Sequence, residues 1–185
     1  MAANPLGPTL ETERLILRQP ERADFERYFE LFGDEDAARY IGGASSRGNA
    51  WRRFLQMPGA WAVQGFGMFS VVEKVSGQWI GQAGPWQPDG WPGTEVGYAF
   101  HPDAWGKGYA TEACTRAIDY AFEELGWTDV IHCIDLDNRA SQAVAERLGS
   151  RVLRRIDDVP AFEGHALDVW GQTREEWFAR KSRAQ

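Results

Sequence analysis

The sequence predicts a single-domain α/β (α+β) fold, with a mixed central sheet of about six to seven strands flanked by helices. Three observations predict it. Between residues 66 and 99, hydrophobicity alternates with a period of two, as strands require. Immediately downstream the period becomes helical, with Ala110, Ala113, Cys114, Ala117, Ile118, Ala121, Phe122 and Leu125 recurring at i, i+3 and i+4. The whole chain then reads as strands followed by strand, helix, strand, helix, strand, so that the long helix crosses over within one sheet. A chain of 185 residues can bury one core without disulfide or metal staples.

Residues 1–9 carry Pro and Gly breakers and read as an N-terminal tail. The first strand is expected at 14–19, where Leu15 and Leu17 alternate with Ile16 and Arg18. A helix should run over 24–32, with Phe25, Tyr28, Phe29 and Phe32 at helical spacing and Gly33 at its end. Residues 34–41 and 49–57 read as two short helices split by Gly42, Gly43 and Gly48. Phe69, Val71, Glu73 and Val75 alternate with Met68, Ser70, Val72 and Lys74, and Ser76-Gly77 turns the chain into a strand over 78–84. The loop 85–93 holds Trp86 and Trp91, which either wall a binding site or fold back onto the sheet. A strand follows at Glu95–Phe100, then the helix over 111–125 with Gly126 as its C-cap, then a buried strand over 129–136. Asn138 caps a helix with Ala140, Ala143, Val144 and Leu148 on one face and Gly149 at its end. The last strands are expected at 152–156 and 166–170 around a turn-rich 157–164, and Thr173 with Glu176 forms a capping box for a helix over 174–180. The domain therefore spans 10–180, between the tail 1–9 and a C-terminal tail 181–185.

Composition narrows the function. The net charge of −7 leaves no basic face to neutralise nucleic-acid phosphates, and it suits the attraction of a cationic amine. No run of about 18 apolar residues exists and the first residues lack the pattern of a signal peptide, so no membrane role and a cytoplasmic location are expected. Cys114 and Cys133 show no CxxC or Cys/His ligand spacing and read as reduced packing thiols, with no metal.

The stretch Trp105-Gly106-Lys107-Gly108-Tyr109-Ala110 lies between a strand and the strongest helix. Glycines there allow backbone N–H groups to meet a phosphate at a helix N-terminus, although a tight turn before a core helix would use the same residues. It is neither the dinucleotide G-x-G-x-x-G nor the triphosphate G-x-x-x-x-G-K-[ST] pattern. It resembles the acyl-CoA pyrophosphate loop, Gln/Arg-x-x-Gly-x-Gly/Ala, of the Gcn5-related N-acetyltransferase (GNAT) family. Gly108 and Ala110 match, while Trp105 stands in the Gln/Arg place. The wording Trp-Gly-Lys-Gly-Tyr-Ala-Thr-Glu-Ala, complete from Trp105 to Ala113, is similar to that of the ribosomal-protein alanine acetyltransferase-like (RimJ/RimL-type) branch. The opening words from Glu11 to Arg18 and the strand Glu95-Val96-Gly97-Tyr98 resemble the same family.

This resemblance implies acetyl-CoA as cosubstrate, with its diphosphate on Trp105, Gly106, Lys107, Gly108, Tyr109 and Ala110. It implies that the strands ending at Phe100 and starting at Asp129 splay apart to admit the pantetheine arm, with Phe100 and His101 at the bulge. Asn138 and Ser141 match the family's Asn-x-x-Ala/Ser block and would lie near the pantetheine or thiol. Ala145 and Ser150 depart from that block, standing where many members have a general-acid tyrosine and a phenylalanine. The segment between the first two strands would line the acceptor pocket.

Amide formation from a thioester needs a neutral amine. An alkylammonium with a pKa near 10.4 must lose its proton to a base poised near neutrality. Glu95 is the first candidate, because it shares a strand face with Gly97 and Ala99 and partial burial would raise its pKa; an edge carboxylate paired with Arg is the competing account. His101 titrates in the right range but precedes Pro102 and reads as a backbone corner, while His132 and His165 show no partner in sequence. A backbone N–H near Phe100 and His101 would polarise the carbonyl. The resemblance implies Ser141 as the proton donor to the departing thiolate; from the residues alone it is as readily part of a helix cap with Asn138.

The expectation is therefore an acetyl-CoA-dependent N-acetyltransferase acting on a primary amine, a protein N-terminus or a small amine such as an antibiotic, polyamine or amino acid. It would work as a monomer or homodimer, with Glu95 and Ser141 catalytic. The alternative is a non-catalytic CoA-binding sensor or interaction module.

Overall fold

The computed structural model describes residues 7–157, 159 and 165–183. The expected tails and the turn-rich 157–164 lie partly outside the described residues. The chain runs β1 (Leu10–Glu11), β2 (Leu15–Arg18), α1 (Phe25–Phe32), α2 (Arg47–Gln64), β3 (Phe69–Glu73), β4 (Trp79–Trp86), β5 (Glu95–Phe100), α3 (Tyr109–Glu123), β6 (Asp129–Asp135), α4 (Arg139–Leu148), β7 (Arg151–Ile156), β8 (Leu167–Thr173) and α5 (Arg174–Arg183). All strands join one eight-stranded sheet in the order β1-β2-β3-β4-β5-β6-β8-β7. The strand beyond the expected six to seven is β1, a two-residue edge that pairs Leu10 with Leu17.

Two helical expectations are corrected. Residues 34–41 form only isolated turns, closed by Ala38 N to Asp34 O at 3.0 Å and Ile41 N to Ala38 O at 3.0 Å. Ala38 is the one fully buried apolar side chain there, too little to hold so short a helix. Residues 49–57 belong to a longer helix that starts at Arg47 and continues through Pro58 to Gln64. Proline removes one ladder bond, but Met57 and Trp61, one turn apart on either side of it, are both buried and keep the helix on the sheet. Ser46 caps its start, and Gly65, at φ 80°, ends it.

The helices cover both faces. α1 and α2 pack Phe25, Tyr28, Phe54 and Met57 with Trp79 and Ala99. α3, α4 and α5 pack Ile118, Phe122, Leu148 and Trp177 with Val96 and Val130. Val96 and Ala99 thus face opposite ways along β5, as the strand period demands.

One joint in the sheet is incomplete. β4 and β5 pair along the whole strand, from Gly81 opposite Phe100 to Trp86 opposite Glu95, and β6 pairs with β8 along its full length. β5 and β6, the only parallel pair among the described strands, register at Glu95 opposite Ile131 alone, with Ile131 N donating to Thr94 O at 2.9 Å. Beyond that rung the strands diverge. Because His101 N donates to Ile80 O on the β4 side at 2.9 Å, alternation points the backbone groups of Tyr98 and Phe100 into the gap.

Candidate functional site

Glu95 closes the narrow end of that gap. It is 7% exposed, and Trp91 Nε1 donates to its Oε2 at 2.6 Å. The thiol and backbone of Cys133 also donate to the carboxylate. On β6 the backbone group that would have continued the ladder beyond Ile131 therefore meets a side chain. Burial raises the Glu95 pKa to about 7, against the pull of the Trp91 and Cys133 hydrogen bonds, which favour the anion. The arginine-paired edge carboxylate considered from sequence is not what the structure holds: no arginine bonds Glu95 among the described residues. The same environment raises the Cys133 thiol pKa, by burial first and then by the Glu95 charge.

His132 lies beside it, with Nδ1 2.7 Å from Val96 O, so Nδ1 carries the proton. Burial holds the ring's pKa down to about 4, and Nε2 has no partner among the described residues. The ring is therefore neutral at physiological pH.

The other wall is the first turn of α4. Asn138 Oδ1 accepts from Ser141 N at 3.1 Å, which closes the helix end through the backbone of Ser141 and leaves its hydroxyl out of the cap. That hydroxyl is engaged across the gap, where Tyr98 Oη donates to Ser141 Oγ at 2.9 Å. A serine oxygen that accepts one proton keeps its own O–H to donate elsewhere. Burial raises the Tyr98 pKa, so the phenol stays protonated in this role. Ala145, one turn on, is buried and lines the cleft, adding no hydroxyl.

The glycine loop sits at the N-terminus of α3. Gly106 and Gly108 take φ 72° and 79°, left-handed values that a side chain resists. Gly108 is the N-cap and supplies no side-chain cap, so the first N–H groups of the helix remain unbonded by one. A Cβ at Gly106 would meet nothing within 4 Å, and one at Gly108 would meet only Arg14 Nη2 at 3.5 Å. The loop is held from outside. Trp105 Nε1 donates to Phe100 O at 2.7 Å, Arg14 Nη1 to Lys107 O at 3.0 Å, and the Tyr109 hydroxyl to Glu73. Glu112 in the first turn is bound by Thr12 and Arg14, which neutralises a carboxylate that would oppose an anion there.

A cleft of about 940 Å³ joins these parts. Glu95, Tyr98, His132, Cys133, Asn138 and Ser141 line it, and so do Trp86, which ends β4 and not the expected loop, and Trp91 from the loop that follows. The stretch 105–110 borders the gap at the α3 end without lining this cleft. Phe100 is buried and His101 turns away, its ring set between Glu30 and Asp103 at 3.3 and 2.9 Å. The bulge expected at Phe100 and His101 is not there, since β5 keeps an unbroken register with β4; the His101 N–H is spent on Ile80, so of the two expected backbone donors only that of Phe100 points into the gap. Sequence reasoning missed Tyr98, Trp91 and Cys133 as partners, since each reaches its place through the tertiary fold.

Acetyl-CoA fits these residues. A diverging strand pair offers backbone groups to the amides of a pantetheine arm, and an uncapped helix start behind two left-handed glycines offers N–H groups to a diphosphate. The fold and this site define a class: a single mixed sheet that opens between two parallel strands, with an uncapped start at the crossover helix. Residues 14–151 match the family model described as an acetyltransferase (GNAT) domain, and the chain belongs to that family. It is similar to the uncharacterised protein YkkB of Bacillus subtilis, at 32% identity over 80% of this chain and 87% of that one. It is also similar to the uncharacterised N-acetyltransferase p20 of Bacillus licheniformis, at 28% identity over 88% of this chain and 93% of the relative. Among solved structures, an acetyltransferase from Agrobacterium tumefaciens superposes with a TM-score of 0.79 at 30% identity, covering 90% of this chain and 95% of that one. The protein is an acetyltransferase. No described helix is long and apolar enough to cross a membrane.

Proposed function

We propose that the chain transfers the acetyl group of acetyl-CoA to the nitrogen of a primary amine in the cleft between β5 and β6, with Glu95 as base and Ser141 as proton donor. The observation that carries this reading is the pair of differently tuned groups across one gap: a buried carboxylate with a pKa of about 7 and a serine hydroxyl oriented by Tyr98. The thioester supplies an activated acyl carbon and a thiolate leaving group. Glu95 accepts the ammonium proton, directly or through one water, and its raised pKa lets it do so near neutral pH. The N–H of Phe100, directed into the gap, would donate to the carbonyl oxygen as negative charge develops on it. Ser141 then donates its O–H toward the departing sulfur while Tyr98 holds the oxygen in place. Gly106, Lys107, Gly108, Tyr109 and Ala110 would hold the diphosphate, with Trp105 fixing the loop to β5 and Asn138 fixing the start of α4.

The wording from Trp105 to Ala113 supports membership of the ribosomal-protein acetyltransferase-like branch, and with it a protein N-terminus as one class of acceptor. The enclosed, aromatic wall formed by Trp86 and Trp91 supports a small amine as the other. A cytoplasmic location and a domain spanning 10–180 accompany this reading. Thiol release from acetyl-CoA, followed with a panel of small amines and of peptides with free N-termini, tests it. Acetyl-CoA-dependent acetylation of at least one amine is expected; a rise in melting temperature with acetyl-CoA but no amine-dependent release would indicate the non-catalytic CoA-binding alternative.

A further inference from the structure

The wall of the cleft contributed by α1 and α2 carries charge that the reaction itself does not use. Arg52 and Arg53 both line the cleft, and neither pairs with a carboxylate among the described residues. In a chain with 27 acidic against 20 basic residues, two arginines left without counter-ions on one wall call for an explanation. Arg52 is exposed and donates to Asn49 Oδ1 at 2.9 Å. Arg53 is the more telling of the two. Its guanidinium stacks 4.4 Å from the ring centre of Phe32, and among the described residues only Nη2 is hydrogen-bonded, to Ile41 O at 2.6 Å. A guanidinium has five N–H donors, so most of this one's capacity is unused.

Tyr28 stands next to it. Its ring packs on the other partner of the stack, 4.2 Å from Phe32, and Tyr28 and Arg53 feel each other electrostatically. Tyr28 is 1% exposed and lines the cleft, yet its hydroxyl bonds no described residue. Burial raises the Tyr28 pKa and lowers that of Arg53, the response of groups withdrawn from water without compensating partners. The carboxylates lining the cleft, Glu95 and Asp135, belong to the strands β5 and β6 and not to this wall.

We infer that Arg53 and Tyr28 form the seat for a carboxylate on the acceptor, so that the substrate is a small primary amine that also bears a carboxyl group, with Arg52 drawing it in at the mouth. This rests on the acetyl-transfer reading above and names the substrate class of the same site. A planar guanidinium fork and one phenol hydroxyl match the two oxygens of a carboxylate, and one buried cation balances one negative charge. The amine end then lies toward Glu95, with Met57, Met68, Trp86 and Trp91 enclosing what joins the two ends. A polyamine is disfavoured, because its second ammonium would meet Arg53.

The test compares matched acceptors in which the same primary amine carries a carboxylate, the corresponding carboxamide or a phosphate monoester, with thiol release from acetyl-CoA as readout. The wild-type enzyme should prefer the carboxylate over the carboxamide by about tenfold or more in kcat/KM. Arg53→Met should remove that preference while KM for acetyl-CoA stays within about twofold. Tyr28→Phe, which keeps the packing, should reduce it by a smaller factor and guards against a folding defect in the arginine variant. Equal use of the carboxamide by wild type, a preference for the phosphate, or an Arg53→Met effect confined to acetyl-CoA would overturn the inference. If no amine of any series turns over, the acetyl-transfer reading itself fails and this inference falls with it.

Discussion

The starts of α3 and α4 face the same gap and are built in opposite ways. α4 opens on Asn138, whose Oδ1 takes the Ser141 N–H, so that its end is finished by its own sequence. α3 opens on Gly108 in a left-handed conformation with no side-chain cap, although Trp105, Arg14 and Thr12 brace the loop around it. On the proposed reading, the braced but uncapped end is the one that takes an anion, whereas the capped end contributes stability and presents its serine hydroxyl. The difference assigns, in the proposed function, binding to the first end and positioning to the second.

The comparison breaks most severely at the open end. Gly108→Glu puts a side chain and a negative charge where phosphate must meet backbone N–H groups, and should weaken acetyl-CoA binding by about 100-fold or more. The acetyl-CoA-induced rise in melting temperature should disappear, while Gly108→Ala should keep part of it. At the α4 end, Ser141→Ala leaves the Asn138 cap intact because the cap uses the backbone N–H, so turnover should fall about tenfold with little change in stability or in KM for acetyl-CoA. A smaller effect follows at one remove: Tyr98→Phe deprives Ser141 of its orienting donor and should lower kcat by about two- to fivefold, and by nothing further in a Ser141→Ala background. Smallest is Asn138→Ala, which should destabilise the ligand-free chain by about 1 kcal/mol in chemical denaturation. If instead Asn138→Ala cost no stability while Ser141→Ala lowered the melting temperature with normal turnover, the division between binding end and positioning end would be wrong.

Much of this was legible in the sequence where the governing physics is local. The cap of α4 at Asn138, its end at Gly149, the capping box of Thr173 and Glu176, and the strand Glu95–Phe100 each depend on residues within a turn of one another. The helix α2 was legible only over 49–57, and the burial of Met57 and Trp61 is what carries it past Pro58 and Gly59 to Gln64. Residues 34–41 differed the other way, having helical residues but only Ala38 fully buried, with Ala37 and Ile41 half-buried against the core, too little to hold a helix. β1 escaped notice because two residues cannot show a period. In the site, Glu95 could be placed by strand alternation, but its contacts with Trp91 and Cys133, and the Tyr98–Ser141 pair 43 positions apart, exist only once the strands diverge.

The central claim is that burial between diverging strands makes Glu95 a base poised for an amine, and the pH dependence of kcat/KM addresses it most directly. A carboxyl whose pKa is raised from 4.5 to about 7 is protonated and inactive below that value and ionised above it. With an acceptor whose own ionisation is known, the rate should therefore rise with pH through an inflection near 7. In Glu95→Gln that inflection should vanish and kcat should drop by roughly 10²- to 10⁴-fold, while acetyl-CoA still raises the melting temperature. An unchanged inflection in Glu95→Gln, with kcat near that of wild type, would contradict the account.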